Sequence, residues 1–126
     1  MQLCILSSKK SNMIEWKKLE SASQLDSILE DSHIAPQVIF KHSTTCPISG
    51  MAKRRLEGGW DLDIKPYYLD LLSYRSISNT IEDRLDVRHE SPQIIMIVNG
   101  KSVYNESHLD ISAQHLQGSL EAHLNG

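Results

Sequence analysis

The feature that most restricts the fold is the run Gln93–Val98, "QIIMIV", followed at once by Asn99-Gly100. After its first residue the run is apolar and rich in β-branched side chains, the pattern of a central strand. Asn-Gly is the strongest hairpin signal in the chain and should turn it back into "SVYN" at 102–105. A central strand needs cover on both faces, so the remaining segments must supply helices.

They do. Leu25, Ile28 and Leu29 form an i, i+3, i+4 stripe over about Gln24 to Asp31, with Ser21 or Ser23 as candidate N-cap. Pro36 breaks the chain before "VIFKH" (38–42), a buried strand running out into polar residues. Pro47 to about Glu57 reads as a helix stopped by Gly58-Gly59. "KPYYLDL" (65–71) suggests another strand, and Ser76 to Leu85 a helix with Ile77, Ile81 and Leu85 at four-residue spacing. A last helix, about Ile111 to His123, carries Leu116, Leu120 and Leu124 on one face. Trp16 and Leu19 fit a weakly marked short strand or turn. Residues 1–12 read as a lead-in and 13–126 as one domain.

Strands alternating with helices predict an α/β chain: a central mixed sheet of four to five strands, flanked by helices on both faces, its last pair antiparallel. This order resembles the thioredoxin fold, in which a reactive cysteine sits where the first core strand meets its helix. Cys46 occupies that place.

The bulk numbers exclude several classes of function. With 126 residues, 40% apolar and 23% charged, the chain can bury a core without staples. A net charge of −3 gives no basic footprint for nucleic acid or an acidic membrane. The longest apolar run, Ile94 to Val98, is too short to span a bilayer. "MQLCILSSKKSN" at the start has neither a basic n-region nor an apolar h-region, so no secretory signal is expected. Two cysteines, Cys4 and Cys46, do not make a secreted disulfide framework, and the reducing cytoplasm is the expected compartment.

The stretch His42–Gly50, "HSTTCPISG", carries the chemistry. If Cys46 is the N-cap of the helix, Pro47 falls at N1, where its missing N–H costs nothing. The free N–H groups of the first turn, including those of Ile48 and Ser49, then point toward the sulfur and favour the thiolate. The Ser49 hydroxyl could add a further hydrogen bond. Lowering a thiol pKa from about 8.5 to about 7 raises the ionised fraction at neutral pH from roughly 3% to half. Nucleophilicity falls about fivefold over the same shift, so attack gains only about threefold. The larger gain comes when the sulfur must leave, which suits exchange over one-way trapping. The alternative is a structural cysteine at a helix start; polar "HSTT" before it and Pro after it argue for exposure.

"IFKHSTTCPISGMAKRRLE" (39–57) and "HESPQIIMIVNGK" (89–101) together resemble the monothiol bacilliredoxins, the YtxJ-like family of the thioredoxin superfamily, over about residues 13–124. The resemblance implies a thiol–disulfide oxidoreductase that removes bacillithiol from S-bacillithiolated proteins. Cys46 would be the catalytic residue and bacillithiol the co-substrate, with no tightly bound cofactor. Thr44, Thr45, Pro47, Ile48, Ser49, Ser91 and Pro92 would bind substrate or support the thiolate. Pro92 would be the cis-proline facing the cysteine, and Ser91 would offer backbone groups to an extended substrate. Ser49 stands where dithiol relatives carry a second cysteine, so no intramolecular disulfide closes there. Cys4 is the other thiol and reads as a small apolar residue rather than a resolving one.

Other features carry less. Histidines at 33, 42, 89, 108, 115 and 123 form no ligand pair of metal-binding spacing, so no metal is expected. His42, four residues before Cys46, could support the thiolate as a cation but reads better as a strand end in solvent. Lys53-Arg54-Arg55 reads as an anionic-ligand surface or a solvated face, too far along the helix to activate the sulfur. Trp16, Trp60, Tyr67 and Tyr68 look too scattered to form a stacking platform, so core and rim packing is expected of them. Two further hypotheses stay open: a thioredoxin-like binding or sensing module, and an iron–sulfur carrier, whose Gly-Phe-Ser continuation after the cysteine is missing.

Overall fold

The computed structural model of the chain describes residues 14–43, 45–60 and 62–125, with side chains through 123. The expected lead-in over 1–12, Cys4, Thr44 and the Leu124 side chain lie outside the described residues. The elements run β1 (Lys17–Lys18), α1 (Ala22–Asp31), β2 (Gln37–His42), α2 (Pro47–Gly59), β3 (Tyr67–Asp70), α3 (Arg75–Leu85), β4 (Gln93–Val98) and β5 (Lys101–Ser107). A 3₁₀ turn (His108–Asp110) and α4 (Ala113–Asn125) follow.

The five strands lie in the order β1-β3-β2-β4-β5. The pairs β1/β3 and β2/β3 are parallel; β2/β4 and β4/β5 are antiparallel. This is the expected thioredoxin-like mixed sheet, with helices on both faces.

The period of two along each strand sorts the core into two layers. Val38, Phe40, Ile94 and Met96 face α2 and α4, packing on Ala52, Leu56 and Leu116. Ile39, Leu69, Ile95 and Ile97 face α1 and α3, packing on Leu25, Ile28, Ile77 and Ile81. Every residue of β4 is buried, which explains why its sequence does not alternate. Truncating Phe40, fully buried in the middle, would cost about 3–5 kcal/mol.

The hairpin forms as the dipeptide demands: Asn99 has φ 54° and Gly100 φ 75°. Its tip is fastened to the end of α1, where Asn99 N–H donates to Ser32 O (2.9 Å) and Gly100 N–H to Ser32 Oγ (2.7 Å). Of the two candidate caps of α1, Ser21 serves, its hydroxyl accepting from Gln24 N–H at 3.2 Å.

Two boundaries differ from expectation. The helix α2 runs through Gly58 and Gly59 instead of stopping before them. The helix end is held by its neighbours, Leu56 and the buried Trp60, which pack in one cluster with Ala113 and Leu116 of α4, so tertiary packing outweighs the weak helix propensity of glycine. The last helix begins at Ala113 because Ser112 Oγ accepts the N–H of His115 at 3.1 Å.

Candidate functional site

Cys46 is the N-cap residue of α2, with extended backbone (φ −100°, ψ 118°) and Pro47 at the first helical position. Its carbonyl accepts from Gly50 N–H (3.2 Å), and its own N–H donates back to Ser43 O (3.1 Å). The side chain is partly exposed and in no disulfide. No close capping hydrogen bond holds the sulfur, yet the thiol is pushed below its ordinary pKa. The Ser49 amide contributes most; slight burial works against it, and the Ile48 amide and the Ser49 hydroxyl add to the lowering. A partly open sulfur in this state can attack a disulfide and can also depart from one.

Ser49 is fully buried, and its hydroxyl accepts the backbone N–H of Ser43 at 3.3 Å. Thr45 is exposed, with Oγ1 3.2 Å from Ser43 Oγ. Pro47 and Ile48 lie exposed beside the sulfur, and Met51 one turn further is 44% exposed, leaving an apolar rim. The Ser91-Pro92 peptide bond is cis, and Pro92 is buried with its carbonyl accepting from His108 N–H at 3.0 Å. Lys41 of β2 pairs with Gln93 of β4, so the 88–92 segment enters the sheet at the end from which the chain leaves toward Cys46.

Residues 17–116 match the model of the family described as monothiol bacilliredoxin BrxC. The chain belongs to the monothiol bacilliredoxin family. One solved structure, given a thioredoxin fold and a provisional oxidoreductase role, is 34% identical, with TM-score 0.73 over 83% of this chain and 93% of its own. The thioredoxin of Malassezia sympodialis is 18% identical, TM-score 0.66, covering 86% of this chain and 90% of its own. That of Trypanosoma brucei brucei is 14% identical, TM-score 0.68, covering 89% and 93%. The thioredoxins speak for the fold alone.

Two sequence readings of this bacilliredoxin need correction. His42 does not end its strand in solvent: it is 5% exposed, its ring 5.6 Å from Phe40 and 5.3 Å from Tyr68. Burial, with the charge of Lys53 behind it, pushes the imidazole pKa down, so it is neutral and cannot act as a cationic support. The aromatic residues pack as core and rim, as expected: Trp60 is buried, and the parallel β1/β3/β2 edge brings Trp16, tilted, within 5.6 Å of Phe40 and 6.0 Å of Tyr68. The basic cluster is partly consumed in packing. Lys53 pairs with Glu57 (2.7 Å) under the Trp16 ring, and Arg55 donates to Ile111 O and Leu109 O.

The sequence reading also missed a polar cluster on the other face of the sheet. Lys41 and Ser78 are fully buried, and His89, three residues before Pro92, meets both. Its signal was present: a lysine inside the buried run "VIFKH" is the residue a core strand should not carry. Among the described residues, no group of three His, Cys, Asp or Glu side chains lies placed to hold a metal, and no helix is long and apolar enough to cross a membrane.

Proposed function

We propose that this bacilliredoxin removes bacillithiol from S-bacillithiolated proteins in the cytoplasm, by thiol–disulfide exchange at Cys46. The observation that supports it most is the setting of the sulfur, partly exposed at the mouth of α2 with the first-turn amides lowering its pKa.

The Cys46 thiolate attacks the bacillithiol-side sulfur of the mixed disulfide. A new S–S bond forms as the old one breaks, and the protein leaves as a thiolate that takes a proton from water. A second low-molecular-weight thiol, as thiolate, then attacks the bacillithiol sulfur held on Cys46. That step frees the Cys46 thiolate and leaves a disulfide between the two small thiols. The bacillithiol sulfur stays at the disulfide level throughout, so the incoming thiol is oxidised as one protein cysteine is reduced. With Ser49 in place of a second sulfur, the adduct waits for an outside thiol. Backbone groups at Ser91, beside Pro92, would take up the extended substrate, and Thr44, Thr45, Pro47 and Ile48 would border the adduct. The departing Cys46 is a good leaving group for the same reason that it is ionised.

The test is intact-mass analysis of wild type and Cys46→Ala incubated with a bacillithiol-modified protein. Wild type should gain one bacillithiol as the substrate loses one, and Cys46→Ala should gain none. Transfer that persists without Cys46 removes the proposal; no uptake by wild type would leave a thioredoxin-like binding or sensing module.

A further inference from the structure

The ammonium of Lys41 sits where a strand should carry an apolar side chain. It lies on the same sheet face as Ile39, fully buried, 3.3 Å from Ser78 Oγ of α3 and 3.0 Å from His89 Nδ1. Ser78 Oγ is itself 3.0 Å from His89 Nδ1, closing a triangle. An ammonium has only donors, so the His89 nitrogen facing it must be the unprotonated one. Among the described residues Lys41 makes no ion pair with a carboxylate. Burial holds its pKa down to about 8, with Glu82 and Glu90 opposing and Arg75 reinforcing. An apolar residue of similar length would fill this place at less cost.

What the lysine touches suggests its use. His89 begins the segment that leads through Ser91 to Pro92. Beside it, Gln93, which faces Lys41 across the β2/β4 ladder, accepts from Glu90 N–H (3.4 Å) and donates to Arg88 O (3.0 Å). The two neighbouring strand ends thus fasten one short segment from below, on the face away from the α2/α4 layer.

We infer that Lys41 is a positioning residue for the exchange reaction: through His89 it fixes the segment 88–92, and so the Ser91 backbone that receives the extended substrate. The inference rests on the proposed exchange at Cys46 and adds how the substrate is held there. The lysine touches neither sulfur nor substrate and acts only through His89.

Lys41→Met is the decisive variant, because Ser78 and His89 remain able to bond to each other and the chain should fold. A hydroxyl is a weaker donor than an ammonium, so the segment loosens. KM for a bacillithiol-modified protein should rise about fivefold, the loss of one charge-assisted hydrogen bond, with kcat and the rate of Cys46 alkylation by iodoacetamide unchanged. Amide exchange in 88–92 should speed up while the melting temperature does not fall. His89→Ala, at a partly exposed position, should raise KM in the same way, and His89→Gln, whose carbonyl can accept from the ammonium, should restore it. Wild-type KM and wild-type amide exchange in Lys41→Met overturn the inference while the exchange reaction stands. A KM that rises only as the folded fraction falls overturns it too. If the wild-type protein transfers no bacillithiol, both fall together.

Discussion

Ser43 donates its backbone N–H to Ser49 Oγ across 3.3 Å, joining the loop that enters the Cys46 site to the first turn of the helix that leaves it. That bond uses an acceptor site of the hydroxyl and leaves its proton for the sulfur, whose pKa it helps to lower after the amides of Ser49 and Ile48. Ser49→Ala removes the hydroxyl and keeps both amides. The Cys46 pH–rate profile for iodoacetamide should move to higher pH, slowing alkylation at neutral pH by less than about twofold, because falling ionisation is partly offset by rising nucleophilicity. The freed Ser43 N–H should cost about 1 kcal/mol in urea unfolding. An unmoved profile would mean the amides act alone.

His42 is buried against Phe40 and Tyr68, and among the described residues its Nδ1 has no hydrogen-bond partner. A neutral ring with an orphaned nitrogen contributes mainly as a flat apolar plate. His42→Phe should therefore change stability by less than about 1.5 kcal/mol and leave the Cys46 pH–rate profile in place. A profile shifted upward would show that the imidazole supports the thiolate after all.

The buried Lys41 makes stability depend on pH in a known direction. Its pKa falls from 10.5 to about 8 on folding, so below pH 8 both states carry the proton and the cost of burying the charge is full, about 3 kcal/mol. Between those values the native state gives up its proton first. The unfolded state then binds more protons, and stability rises with pH; above the higher value the cost is gone. Lys41→Met should flatten this rise and unfold at higher urea than wild type near neutral pH. Equal slopes for the two proteins would mean that the ammonium is better solvated than its burial implies.

Much of the fold was legible because it is written in local terms. The apolar run at 93–98, the Asn99-Gly100 turn, the Pro47 start of α2 and the stripe Leu25-Ile28-Leu29 each name their element through backbone sterics or periodicity. Cys46 was legible for the same reason, since an N-cap before proline is a local arrangement. The glycines at 58 and 59 misled because their helix is held by the packing of Leu56 and Trp60 with residues far along the chain, such as Ile111 and Leu116. His42 misled because "KHS" looks like a strand running into water, whereas Tyr68 from a parallel neighbour closes over it.

By itself the sequence determined the order of strands and helices and the seat of one sulfur at a helix start. Both follow from φ, ψ and side-chain spacing, which act over a few residues. Only the tertiary structure decided which groups surround that site from a distance. Lys41, Ser78 and His89 stand 37 and 11 residues apart in sequence and meet within 3.3 Å. Strand pairing and the packing of α3 bring them together, and no local pattern encodes a meeting between segments that the chain visits separately.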